Sequence, residues 1–197
     1  MAKIEELIPF VLYFEVGLTK SELSLPVPQM YAAATKKGFA NDPVDRGGAT
    51  MCGVILDTYR TYRKSKGILT TTVNDLKKMP YEDWRAIIKQ MFWNRWKADE
   101  IISQPLANLL VDWVWASGVN GIKIPQRVLG VTADGIVGPK TIAAINAANP
   151  RQLFDTLHNE RIKFVDGIVR HNPSQVKFIK GWKRRINAIT YNGLQFN

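Results

Sequence analysis

The stretch "FVLYFEVGLTK", residues 10–20, places an ionisable side chain where the preceding pattern predicts an apolar one. Apolar residues recur at the spacing of one buried helix face: Ile4, Leu7, Ile8, Val11 and Leu12. At 100° per residue, Glu15 lies within about 20° of the directions of Ile4 and Ile8. The sequence therefore predicts a helix that ends near Gly17 and carries a carboxyl group on its core-facing side.

The predicted position of Glu15 favours the protonated form of its carboxyl group. Burial disfavours a charged carboxylate, and the negative end of the helix dipole disfavours it further. A carboxylic acid that keeps its proton near neutral pH is what general acid catalysis requires. In the simpler alternative, the helix ends at Phe14 and Glu15 turns outward into solvent. The periodicity alone leaves both interpretations open.

A second motif, "DRGGATMCG", occupies residues 45–53. Its paired glycines, Gly47 and Gly48, allow positive φ angles and let the backbone pass close to a ligand. Asp45 and Thr50 flank this turn and offer a carboxylate and a hydroxyl group to a water or a polar substrate. Asp also begins turns and Thr favours strands for purely local reasons, so this motif alone is weak evidence of a site.

The rest of the chain is dominated by helical patterns. Pro80, Pro105 and Pro139 stand where amphipathic helices are predicted to begin, whereas Pro9 predicts a kink or a restart of the first helix. Two longer helices are expected over residues 151–170 and 174–189. Residues 38–56 are rich in Gly, Asp, Asn and Pro and predict turns and a small hairpin. The predicted fold class is mainly α, with a small β or loop element near residues 38–56.

The composition excludes several kinds of protein. The 197-residue chain has a single cysteine and two histidines, a poor ligand set, so we expect neither a metal nor a cofactor. No apolar run reaches the roughly 18 residues of a membrane helix, and we expect no transmembrane segment. The net charge of +10 indicates an anionic partner, such as nucleic acid, a membrane or the bacterial envelope. Because no nucleic-acid-binding signature accompanies the basic residues, we expect no nucleic acid.

Taken in order, the motifs resemble glycoside hydrolase family 108, N-acetylmuramidases with a lysozyme-like helical fold. That family opens with a helix ending in Glu-Gly-Gly, followed by Asn-x-Pro-x-Asp-x-Gly-Gly-x-Thr, and this chain has Glu15-Val16-Gly17 and the stretch from Asn41 to Thr50. The resemblance continues through "WRAIIKQMFWNRW", "VDWVWASGVNG" and the closing "FIKGWKRRI". The stretch "VLGVTADGIVGPKTIAAI" is similar to the family's peptidoglycan-binding segment. Nearly the whole chain is covered.

Two features depart from the family pattern. Val16 stands where a glycine is expected, and residues 18–37 form an insertion that the family usually lacks. The insertion is expected either to cover the substrate or to displace Glu15 from its partners. In the second case the protein would bind its ligand without catalysing a reaction.

The resemblance implies a role for each matched residue. Glu15 is the expected proton donor to the glycosidic oxygen, Asp45 is expected to hold a water or stabilise positive charge on the sugar ring, and Thr50 is expected to orient that water. Whether the configuration is inverted or retained depends on the separation of the carboxyl groups, about 6.5–9.5 Å for inversion and about 5–5.5 Å for retention.

Sugar binding also requires aromatic rings, which stack on the apolar faces of pyranoses. Helical spacing assigns Trp113 to the core. Trp115 and Asp112 fall off that apolar stripe and are predicted to contact substrate. Trp93, next to the aromatic end of a matched helix, and Asn41, in the matched motif, are the other predicted substrate-binding residues.

The expected function is hydrolysis of peptidoglycan between N-acetylmuramic acid and N-acetylglucosamine, of the lysozyme or endolysin type. A muramidase-like catalytic region is expected over residues 1–111 and a peptidoglycan-binding region over residues 112–197, packed as one body in a monomer. The N-terminal residues lack a secretory-signal pattern, so we expect synthesis in the cytoplasm and action at the cell wall after release. The alternative is a non-catalytic peptidoglycan-binding or secretion-regulating protein on the same fold.

Overall fold

The computed structural model describes residues 1–41 and 48–196. Helices dominate it, which confirms the predicted mainly α fold class. None of the helices in this described part of the chain is long and apolar enough to span a membrane. The α-helices are α1 Ile4–Val16, α2 Lys20–Leu23, α3 Val27–Thr35, α4 Leu56–Ser65, α5 Val73–Lys77, α6 Tyr81–Ile88, α7 Gln104–Ser117, α8 Asn120–Val128, α9 Pro139–Ala147, α10 Pro150–His171 and α11 Val176–Asn187.

Helix α1 buries the apolar face that the sequence predicts. Its stripe from Ile4 to Leu12 is in the core, and the helix continues through Pro9 rather than restarting there. The helix is closed by Gly17, which adopts a φ of +65° and donates its amide to the Tyr13 carbonyl oxygen over 2.9 Å. Glu15 therefore lies in the last turn of α1, and the alternative in which the helix ends at Phe14 is excluded.

A small antiparallel sheet occupies the predicted β region. Its strands are β1 Phe39–Ala40, β2 Thr50–Met51 and β3 Val54–Ile55, in that spatial order. The turn between β2 and β3 consists of Cys52 and Gly53, both at positive φ (46° and 79°), as a two-residue hairpin turn of type I′ requires. A second antiparallel pair, β4 Ile189–Thr190 with β5 Gly193–Leu194, closes the chain.

Helix α6 changes its winding where it ends. It is followed by a π-helical turn over Lys89–Trp93 and by 3₁₀ turns over Asn94–Trp96 and Ala98–Glu100. A π turn contains more residues than an α turn, so it rotates the side chains beyond it relative to the apolar face of α6. As a result Trp93, rather than Phe92, is fully buried.

The chain forms two compact units. One comprises residues 8–90, and the other comprises residues 1–7 together with 91–197. The regional boundary predicted at residues 111 and 112 falls inside α7, within the second unit. It therefore stays a prediction about functional regions rather than a description of the compact units. A third helical 3₁₀ turn in the second unit, Pro173–Gln175, leads into α11.

Candidate functional site

The last turn of α1 lies against the β2–β3 hairpin. Gly38 separates them so narrowly that a Cβ atom there would lie 2.6 Å from the Cys52 Sγ and 2.9 Å from the Val16 Cγ1. Glu15, which precedes Val16, is half-buried. Burial, and with it the negative charge of Glu15, raises the pKa of the Cys52 thiol to about 12. The carboxylate of Glu15 is thus within electrostatic range of the hairpin turn.

The turn at Cys52 is held in an uncommon conformation. A positive φ is unusual for a residue with a Cβ atom, and such conformations persist where the surroundings enforce them. The Cys52 amide donates to the Gly38 carbonyl oxygen over 2.8 Å, and the Cys52 carbonyl oxygen accepts from Trp84 Nε1 over 3.0 Å. Both bonds lie in the core, so the turn opposite the end of α1 is fixed in position.

Thr50 lies in β2, two residues before this turn. It is half-buried and pairs with Ala40 on one side and Ile55 on the other. Its Oγ1 donates to the Gly48 carbonyl oxygen over 3.3 Å, and Gly48 has the positive φ (65°) that its motif predicts. Thr50 is therefore carried by the same hairpin that the Glu15 charge reaches. Asp45, the third predicted catalytic residue, lies outside the described residues.

The insertion, residues 18–37, folds into α2 and α3 and returns to its starting point. Lys37 Nζ at its end donates to the Gly17 carbonyl oxygen over 3.1 Å and to Glu22 Oε2 over 2.8 Å. We call this three-residue contact the Lys37 clasp. Because it holds the two ends of the insertion together, the chain continues from α1 to Gly38 as if the insertion were a side branch. The insertion does not carry the end of α1 away from the hairpin.

Helix α3 also contributes to the core of its unit. Met30, Tyr31 and Ala34 are buried. The Tyr31 hydroxyl donates to the Met79 carbonyl oxygen over 2.9 Å, and its ring lies 5.3 Å from that of Trp84, centroid to centroid. Burial of this hydroxyl raises the pKa of Tyr31 well above its usual range. The insertion is a packed helical element rather than an open loop.

Glu22, the other glutamate near this region, is unsuited to donating a proton. Its hydrogen bonds to Lys37 and to the Thr19 amide lower its pKa to about 2. It therefore remains a carboxylate at neutral pH. Of the two glutamates, Glu15 is the better candidate for a general acid.

Asp112, predicted to bind substrate, lies in the core of the second unit. Its carboxylate is fully buried and accepts from Arg161 Nη2 over 2.7 Å and from Arg185 Nη2 over 2.7 Å. Burial pushes the pKa of Asp112 upward, but the charges and hydrogen bonds of Arg185 and Arg161 outweigh it and hold that pKa below its usual range. Both oxygens are occupied by arginines, so we do not retain Asp112 as a sugar-binding residue.

The other three predicted substrate-binding residues are Trp93, Trp115 and Asn41, and they differ in exposure. Trp93 is fully buried, with its Nε1 donating to Asp99 Oδ1 over 2.8 Å, so we do not retain it as a ring available to a sugar. Trp115 is half-buried, its ring 4.6 Å from that of Phe92, and Asn41 is exposed. Trp115 and Asn41 remain candidates. Trp113 is fully buried, as its helical spacing predicts.

The segment between α8 and α9 forms a tight loop around a buried amide. Gln126 is fully buried, donates to Asp134 Oδ1 over 2.9 Å and to the Ile136 carbonyl oxygen over 3.0 Å, and accepts from the Gly135 amide over 2.8 Å. The loop lines an open cavity of about 640 Å³ that also contacts Lys140. Sequence reasoning missed the role of Gln126, because its partners are defined only once the loop has closed.

No cluster of three or more metal-ligating side chains occurs among residues 1–41 and 48–196. The described part of the site offers the carboxyl group of Glu15, the hydroxyl group of Thr50 and the backbone turn at Cys52.

Comparisons with known proteins find two matching families. Residues 33–118 match the family described as Glycosyl hydrolase 108, and residues 120–187 match the family described as Predicted Peptidoglycan domain. The first match contains Thr50 and the Asp45 motif and begins after Glu15 and most of the insertion. No curated protein matches the sequence.

A solved structure, that of SagA from Brucella abortus, is similar in fold. It has a TM-score of 0.66 and 25% sequence identity, over 81% of this chain and 90% of that chain. The two family matches follow each other almost without a gap and together span the hairpin, α7 and the four helices after it. The chain therefore contains a region that matches glycosyl hydrolase 108, followed by a peptidoglycan domain, and these findings together identify a lysozyme-like peptidoglycan hydrolase.

Proposed function

We propose that the protein cleaves the glycan strand of peptidoglycan between N-acetylmuramic acid and N-acetylglucosamine, with Glu15 as the general acid. The observation that carries this proposal is the position of Glu15. It is half-buried in the last turn of α1 and within electrostatic range of the rigid Cys52 turn, despite the insertion. If the insertion had displaced the end of α1, Glu15 would not lie within electrostatic range of the Cys52 turn.

In the proposed reaction Glu15 donates its proton to the glycosidic oxygen as the bond from that oxygen to the anomeric carbon breaks. The bonding electron pair leaves with the oxygen, which becomes a hydroxyl group on the departing sugar. The sugar that remains passes through an oxocarbenium-like transition state and is attacked by water, whose proton passes to the Asp45 carboxylate or back to that of Glu15. Asp45 and Thr50 are proposed to stabilise that charge and to orient the water, as the family resemblance implies.

The position of Glu15 supports its use as an acid on physical grounds. The Glu15 side chain is half-buried at the end of α1, next to the point where Gly17 turns the chain at a φ of +65°. The Cys52 thiol beside it, with a pKa of about 12, stays neutral and does not compete for the proton at physiological pH.

The test compares Glu15→Gln with Glu6→Gln, an exposed glutamate on the same helix. The wild-type protein is expected to clear peptidoglycan suspensions and to release reducing muramic acid ends. Glu15→Gln is expected to lower the rate about 10²–10⁴-fold, the usual contribution of a general acid, with an unchanged unfolding midpoint. Glu6→Gln is expected to retain the wild-type rate.

Two results would contradict the proposal. Unchanged clearing by Glu15→Gln would place the acid elsewhere. Binding of peptidoglycan by the wild-type protein without release of reducing ends, on several peptidoglycans, would favour the alternative of a non-catalytic binding protein.

A further inference from the structure

A second cavity lies entirely within the unit that contains residues 91–197. It is enclosed by the end of α7, by α10 and by α11, and has a volume of about 120 Å³. The residues of its wall that matter here are Ser117, Arg161, Val165, Ile168, Trp182 and Arg185. By volume it accommodates several water molecules or one small organic group.

The polar part of this wall is a buried arginine with unused hydrogen-bonding capacity. Arg161 is 2% exposed, and its Nη2 donates to Asp112. Its Nη1 has no hydrogen-bond partner among the described residues. Asp112 supplies one negative charge that Arg161 and Arg185 share. Nη1 itself is shielded from the cavity, so a ligand there would meet the surplus positive charge of the two arginines, and a carboxylate is the group that best offsets such a charge.

The remainder of the wall is apolar and its mouth is open. Val165 is buried, and Ile168 and the Trp182 ring are half-buried. Ala116, which is exposed, and Ser117 complete the rim. A ligand that matches this wall carries a carboxylate next to a small aliphatic group.

We infer that this cavity binds a carboxylate attached to a methyl-bearing carbon of peptidoglycan. This inference rests on the proposed function, because it takes peptidoglycan as the substrate. Peptidoglycan offers that chemistry in two places, the terminal D-alanine of a stem peptide and the lactyl group of muramic acid. The arginines and Trp182 lie within the region that matches a peptidoglycan domain, so the cavity gives that region a defined subsite.

The ligand arm of the test uses isothermal titration of the full-length protein with four probes. They are acetyl-D-alanyl-D-alanine, its C-terminal amide, N-acetylmuramic acid and acetate. The carboxylate dipeptide or N-acetylmuramic acid is expected to bind at least about ten-fold more tightly than the amide, because only the acids offset the surplus charge of Arg161 and Arg185. Whichever acid binds identifies the source of the carboxylate. Equal binding of the amide, or binding no tighter than that of acetate, overturns the inference.

The protein arm uses Ser117→Glu, which places a competing carboxylate at the rim. Its matched control is Ser174→Glu, an exposed serine that does not line the cavity. Ser117→Glu is expected to weaken binding of the acid about ten-fold or more, whereas Ser174→Glu leaves it unchanged. Ile168→Trp, which narrows the mouth without changing charge, is expected to weaken binding as well. Full binding by both cavity variants contradicts the inference.

The failure of this inference and the failure of the proposed function can be told apart. Glu15→Gln is expected to bind the acid like the wild-type protein. If that variant and the wild-type protein both bind the acid but neither cleaves glycan, only the proposed function fails. If the wild-type protein cleaves glycan and binds none of the acids, only the subsite fails.

Discussion

Helices α1 and α7 each place an acidic residue within an apolar segment, and the two acids differ in every respect that decides their use. Asp112 lies in the middle of α7, where residues 106–114 are all buried, and it is fixed by two arginines. Glu15 lies in the last turn of α1 and is half-buried. An acid deep inside a helix is stabilised by paired charge, whereas one at a helix end can face a ligand. Position along the helix therefore separates a structural carboxylate from a catalytic candidate.

Removing the charge of Asp112 is the strongest test of this comparison. Asp112→Asn leaves Arg161 buried without a full counter-charge, and breaking such a pair costs about 3–5 kcal/mol of unfolding free energy. The control is Asp166→Asn, which removes a partly exposed ion pair with Lys183 and is expected to cost about 0–1 kcal/mol. Urea unfolding measures both. Equal losses of unfolding free energy would show that the buried Asp112 pairs contribute no more to stability than the Asp166–Lys183 pair does.

The packing between α1 and the hairpin gives the next largest effect. Gly38→Ala would put a Cβ atom 2.6 Å from the Cys52 Sγ and 2.9 Å from the Ala34 carbonyl oxygen, and such overpacking costs about 1–3 kcal/mol. Gly181→Ala is the matched control, since its Cβ meets no atom within 4 Å and α11 gains about 0.5–1 kcal/mol from alanine. Thermal unfolding distinguishes them. An unchanged unfolding temperature for Gly38→Ala would mean that the packing around Gly38 can adjust to the added methyl group.

Thr50 tests whether the hairpin contributes to the reaction that Glu15 is proposed to start. Thr50→Val keeps the shape of the side chain and removes its hydroxyl group, so the rate of glycan cleavage is expected to fall about ten- to hundred-fold through misplaced water. Thr190→Val is the control, because Thr190 Oγ1 likewise donates to a glycine carbonyl oxygen, that of Gly193, in the β4–β5 hairpin. Equal rates for both variants would remove Thr50 from the mechanism.

The smallest effect concerns the Lys37 clasp and its dependence on pH. The pKa of Glu22 is lowered to about 2 in the folded protein, against an ordinary value of 4.5. Its contribution to stability is therefore fully present above about pH 4.5 and is lost as the pH falls toward about 2. The difference in unfolding free energy between wild type and Glu22→Gln is expected to shrink over that interval. A difference that stays constant with pH would show that the charge of Glu22 plays no part.

Periodicity predicted what depends on a regular helix with one buried face. The stripe of α1, the burial of Trp113 and the hairpin near residue 52 follow from local spacing and turn chemistry. Asp112 was misassigned because α7 is buried on all sides, so lying off the main stripe did not imply exposure. Its partners lie 49 and 73 residues away in sequence, which no local pattern reveals.

Trp93 was misassigned for a different reason. It was chosen for its place in the stretch that resembles the family, and the π turn at Lys89–Trp93, which no local pattern indicates, accompanies its burial in the core. The insertion was also beyond sequence reasoning. Its composition gave no indication that Lys37 would return to Gly17, and the distance between those ends decides whether Glu15 stays near the hairpin.

The Lys37 clasp makes the insertion, residues 18–37, a segment that can be replaced without moving its two ends. A segment whose two ends are adjacent can vary in length and sequence with little strain on the framework, since closing a longer loop costs little additional entropy. Outright deletion is different, because Tyr31 would leave the Trp84 ring uncovered. The same junction is thus a suitable position at which to graft a new recognition element by engineering.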